Sequence, residues 1–286
     1  MTRRSRMSAC VHAAPSIRRN PSTARSSPSN RERVRSPVSL SATITVMKSI
    51  ILNAAETLRC PDTAAEPDAR TTLLAGETLP SLAAHHRDIQ AIQLTVGVPE
   101  AVAIQFETAR NLYLYAWYVY RFFPVAQSQA LFALEFGLRV RFPDRLPERY
   151  QHPRQPQPML AGLLGHAIDQ GLIRNDGFRR WHRATDDHAR QRRSMELLQA
   201  MIDQQVESME IDDEPVNITP EDQSWDLVQI LRRTLPSLRN ELAHGSSMLT
   251  NQVLGTIELV AEILSQIYAP NFGGTVSEAT EGQQSV

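Results

Sequence analysis

The chain has only two cysteines in 286 residues, Cys10 and Cys60. No Cys-x-x-Cys or Cys/His cluster marks a zinc site and a disulfide framework is not expected, so a reducing, cytoplasmic setting fits best. Long apolar runs are missing too. The best of them, Leu112 to Tyr120, falls short of the roughly 18 residues that span a bilayer. It also lies between Arg110 and Arg121, so no membrane partner is expected. There is no apolar signal-peptide core and no internal repeat. Residues 1–46 are poor in acid: Glu32 stands alone against nine Arg, a local charge of +8. The remaining residues must carry −9 to give the total of −1. An acidic body argues against a broad, non-specific nucleic-acid surface but leaves room for a small phosphate site.

Residues 1–46 are rich in Arg, Ser and Pro, lack apolar periodicity, and are expected to be disordered. Their composition fits a transit peptide, a basic nucleic-acid-binding arm, or sequence upstream of a true start at Met47; the last is preferred. Residues 47–98 read as a weakly structured lead-in, with His85 and His86 both exposed. Residues 99–269 read as an all-α domain and residues 270–286 as a disordered polar tail.

Within the domain, helices are expected over 99–122, where the apolar spacing starts at Val102 and Phe106, and over 125–142, after a break at Pro124. The aromatic run Tyr113, Tyr115, Trp117, Tyr118 and Tyr120 reads as core or dimer contact rather than a base-stacking stripe. Glu135 sits inside an apolar run and needs a cation from another helix; Arg239 is one such cation, though the sequence does not choose among them. Five prolines over 143–158 make a loop. A third helix is expected over 159–173, with His166 as a core or lining residue, and another over 194–209. Between them, residues 174–193 hold seven Arg interleaved with Trp181 and two His. Arg179, Arg180, Trp181 and Arg183 are the candidate RNA-binding residues, by charge and stacking, although charge runs usually face water. Thr219-Pro220-Glu221-Asp222 reads as a helix start, Pro236 as a kink or restart, and Gly245 as a stop. Ser246 or Ser247 caps a last helix over 248–268.

Between the last two helical segments lies Arg239-Asn240-x-x-x-His244. Arg presents a fixed fork of donors to phosphate oxygens, and His moves protons near neutral pH. RNA cleavage by its own 2′-hydroxyl needs both and requires no metal or other cofactor. Arg239 would stabilise phosphate charge, Asn240 would bond the phosphate or orient His244, and His244 would act as base, acid or phosphate holder. Residues five apart on a helix differ by about 140° in direction. The pair therefore needs a distorted backbone or a site shared between subunits. The simpler reading is that His244 and Gly245 end a helix while Arg239 neutralises Glu135.

This motif, followed by Gly late in an all-helical domain, resembles the HEPN superfamily (higher eukaryotes and prokaryotes nucleotide-binding). The resemblance implies an up-and-down helical bundle, usually a homodimer, with Arg239 and His244 as the catalytic pair and Asn240 in the supporting polar position. Many members are metal-independent endoribonucleases, including toxins of toxin–antitoxin and phage-defence systems; others bind nucleotides or proteins without catalysis. RNA and an antitoxin or other protein are the partners it implies. A non-catalytic module binding nucleotide, RNA or protein is the alternative, and an assembly protein using its aromatic helix as a dimer face is a third reading.

Overall fold

The structure, a computed structural model, describes residues 54–73, 81–152, 154, 157–208, 215–245 and 249–270. The expectations for residues 1–46, for a cap at Ser246 or Ser247 and for the tail beyond 270 lie outside them. The described residues form α-helices joined by turns and short 3-10 segments, with no strand among them, so the all-α class holds. In chain order the helices are α1 (Ala69–Leu73), α2 (Leu82–Gln90), α3 (Glu100–Tyr115), α4 (Phe122–Arg141), α5 (Leu160–Asp169), α6 (Arg179–Gln204), α7 (Leu227–Ala243) and α8 (Leu254–Ile267).

The bundle is centred on α4, which packs against α3, α5, α7 and α8. Its sequence explains why. Ala126, Ala130, Ala133 and Gly137 recur at helical spacing and let neighbours approach, while Leu131, Leu134 and Leu138 are fully buried. A Cβ on Gly137 would lie 2.5 Å from Leu264 Cδ2 of α8, and the Tyr268 hydroxyl donates to the Gly137 carbonyl at 2.7 Å. Burying each such Leu contributes about 2 kcal/mol.

Four boundaries differ from the sequence reading. The break between α3 and α4 falls at residues 116–121, before Pro124. Pro124 then sits in the first turn of α4, where its missing donor would have had no helical partner. Tyr113 and Tyr115 of the aromatic run therefore end α3, while Trp117, Tyr118 and Tyr120 form a corner that meets the Asp68 segment. Buried Asp68 accepts from the Tyr120 N–H at 3.1 Å, and the Asp68 N–H donates to the Trp117 carbonyl at 3.0 Å. The described part of the lead-in around Asp68 thus packs on this corner. His85 is buried against expectation: it stacks on Tyr113 at 4.4 Å, and its Nε2 bonds the Tyr113 carbonyl at 2.9 Å.

The basic stretch and the helix expected after it are one helix, α6, 26 residues long. The Thr219 turn does not propagate. Asp222 is captured by Arg192, at 3.0 Å and 3.2 Å, and α7 begins at Leu227, with Asp226 accepting from the Gln229 N–H. The Asn175 side chain caps a further α7 donor, the Val228 N–H, at 2.9 Å. Pro236 is carried inside a continuous α7. Gly245 follows its end with φ +86°, the left-handed stop that favours glycine.

Candidate functional site: a two-arginine cleft beside alpha 4

Glu135 faces α7 from the middle of α4 and is 3% exposed. A carboxylate so placed must be paired. Arg239, one turn beyond Pro236, donates its Nε to Glu135 Oε2 at 2.9 Å. Arg139, one turn along α4, donates Nη2 to the other oxygen, Oε1. Two guanidinium groups on one carboxylate leave a local charge of +1. They open onto a cleft of about 310 Å³ that Phe132, Phe136 and Gln105 also line. The Arg239 guanidinium lies 5.6 Å from the centre of the Phe132 ring. Its terminal nitrogens make no hydrogen bond among the described residues, so they remain available to an anion. Arg139 was not among the residues singled out from the sequence; its i, i+4 spacing from Glu135 was the available signal.

His244 stands elsewhere. It is the C-cap of α7, exposed, with its backbone N–H bonded to the Asn240 carbonyl at 3.0 Å. Asn240 is exposed as well. The His244 side chain makes no hydrogen bond or ion pair among the described residues, and it does not line the Arg239 cleft. One chain therefore brings Arg239 and Arg139 to Glu135, and no hydrogen bond or ion pair among the described residues joins Arg239 to His244.

The α6 residues are arranged differently from a base-stacking surface. Trp181, Thr185 and Ala189 share the inward face of α6, and Trp181 is 9% exposed with its indole N–H donating to the Trp225 carbonyl at 2.8 Å. It is a core residue, which corrects the stacking role expected for it. Arg179, Arg180 and Arg183 surround Glu258 of α8, at 3.2 Å, 4.0 Å and 3.7 Å. Arg179 also pairs with Glu262 at 3.2 Å, and Arg180 donates to the Gly255 carbonyl at 3.0 Å. The stretch clamps α6 to α8 and is partly neutralised by it. Three Arg against two Glu, with Arg179 and Arg183 more than half exposed, still leave a modest positive edge.

Among the described residues, no group of three His, Cys, Asp or Glu side chains could hold a metal ion. No helix among the described residues is long and apolar enough to cross a membrane. Fold and site together define a helical protein with a small cationic cleft between α4 and α7. No family model, curated protein sequence or solved structure matches the chain.

Proposed function

We propose that the chain is a HEPN-like, metal-independent endoribonuclease that acts as a homodimer. The observation that carries this reading is the cleft in which Glu135 orients Arg239 and Arg139, with the terminal nitrogens of Arg239 unbonded among the described residues. A phosphodiester held there would meet two guanidinium groups as negative charge grows on its oxygens. The 2′-hydroxyl loses its proton to an imidazole, O2′ bonds to phosphorus, and the P–O5′ bond breaks as the leaving oxygen takes up a proton. The products are a 2′,3′-cyclic phosphate and a free 5′-hydroxyl. His244 is the proton carrier. Because it does not line the cleft of its own chain, the His244 that serves a given cleft belongs to a second copy. Asn240, beside Arg239 on the exposed side of α7, contacts the RNA backbone.

The second copy has a face to bind. Val125, Phe132, Phe136 and Val140 are 37–47% exposed. They fall within about 80° of one another around α4, and two of them line the cleft. Aligned on one side of α4, these side chains offer a second copy an apolar face to pack on. Toxin or defence activity is the biological role consistent with such a nuclease.

Incubating a mixed RNA pool with the full chain in EDTA tests the reading. Cleavage that leaves 2′,3′-cyclic ends, and that His244→Ala and Arg239→Ala abolish, is the expected outcome. Cleavage undiminished in His244→Ala overturns the role of His244. No cleavage by any form favours the second reading, a module that binds a nucleotide or RNA phosphate without cutting it. That alternative draws on the Arg239–Glu135 pair, which serves a binding cleft equally well.

A further inference from the structure

Arg139 borders two cavities. On one side is the Arg239 cleft; on the other is a cavity of about 940 Å³ lined by described residues of 139–152 and 157–158. That volume falls in the range of small-molecule sites. Phe142, the C-cap of α4, and Pro143 and Pro158 supply apolar surface, while Asp144, Glu148 and Gln157 supply polar groups. Asp144 and Glu148 have no cation partner among the described residues. The nearby Arg145 gives its guanidinium to Gln151 Oε1 instead, at 3.0 Å and 3.2 Å. The Gln157 amide makes no hydrogen bond among the described residues. The cavity thus combines apolar walls with solvent-exposed polar groups that have no side-chain partner among the described residues, and it adjoins a cationic cleft through one shared arginine.

We propose that this cavity is a nucleobase subsite. It rests on the reading of the Arg139–Arg239 cleft as a phosphate site. The phosphate of a single-stranded RNA lies between the two arginines, and the neighbouring base turns into the proline-loop cavity. The apolar wall takes the face of the base and the polar groups read its edge. Carboxylates only accept, so the subsite favours a base edge rich in donors. Guanine, with its adjacent ring N–H and amino group, offers two donors to one carboxylate. Uracil presents two carbonyl oxygens to the same groups and is disfavoured.

Equilibrium binding of GMP, UMP and inorganic phosphate to the full chain is the test, repeated with Glu148→Ala/Gln157→Ala and with Arg239→Ala. GMP should bind at least about tenfold more tightly than phosphate, as one stacked base typically contributes, and UMP should gain little. The double variant should lose the GMP increment with phosphate binding no weaker, because neither residue touches the arginines. GMP binding no tighter than phosphate, or an increment unaffected by the double substitution, overturns the subsite and leaves the cleft standing. Absence of all binding, or binding that Arg239→Ala does not alter, overturns the cleft and the subsite together.

Discussion

Asp68 shows how much a single side chain can organise. It is 2% exposed. Burial alone would raise its carboxyl, but the Arg70 side chain, the Arg70 N–H and the Tyr120 N–H all bond its charged form and hold it at about 2. In the unfolded chain it titrates near its ordinary value of about 3.9. The stability it contributes is therefore present above pH about 4 and is lost as pH falls toward 2. That contribution is about 2 kcal/mol. His85 shifts the other way in charge: burial, only partly offset by its bond to the Tyr113 carbonyl, lowers its pKa. The fold favours its neutral ring, so its contribution is present above the ordinary His value of about 6.5 and falls as pH drops through it. Denaturant melts from pH 7 to pH 2.5 should show two losses of stability. Asp68→Asn should shrink the lower one, which Asp222, held down by Arg192, also shares, and His85→Phe should remove the upper one; an acid limb of unchanged size in Asp68→Asn would contradict the role given to Asp68.

At the scale of elements, close backbone approach decides what the loops tolerate. A Cβ on Gly162 of α5 would sit 1.9 Å from the Tyr150 carbonyl oxygen. Backbone cannot swing aside as a side chain can, so Gly162→Ala must push the proline-loop turn off α5, at about 1–3 kcal/mol. Gly171 and Gly245 have open space around them, but at φ +68° and +86°. Alanine at either should cost about 1 kcal/mol through backbone strain alone. Chemical denaturation of the three variants should rank Gly162→Ala lowest in stability, and a Gly162→Ala chain as stable as the native one would mean that α5 and the loop do not meet as described. The same variant should disturb GMP binding, since the turn carries Glu148.

For the whole molecule, the open question is how the exposed faces are used. The α4 stripe borders the cleft, and a second stripe of Met195, Leu198 and Ile202 runs along the outer half of α6. If two copies meet through α4, a charge placed on that stripe outside the cleft should separate them while leaving the helices intact. Val140 is 40% exposed and suits this purpose. Val140→Glu should sediment as a monomer with native helical content and lose RNA cleavage. A monomeric variant that still cleaves fully would remove the composite site.

Much of the architecture is local in origin and was legible for that reason. Apolar spacing places α4 and α5 to within a few residues and marks α3, α7 and α8 with one end displaced by six or seven, and Gly245 marks the end of α7, because helix period and left-handed stops depend only on neighbouring residues. The resemblance of Arg239-Asn240-x-x-x-His244 to a known motif is likewise written in one short stretch. Sequence alone determined the helical class, the position of that motif at the end of a late helix, and the need of Glu135 for a cation. Tertiary structure decided which cation answered: Arg239 from 104 residues away, together with Arg139, which the linear reading passed over. It also turned Trp181 inward, drew Asp68 and His85 into the core, and diverted Asp222 from a helix start to Arg192. Each of these outcomes is a contact between segments distant in sequence. A buried charge or ring takes whichever partner the packed chain presents, and local propensity carries no record of that choice.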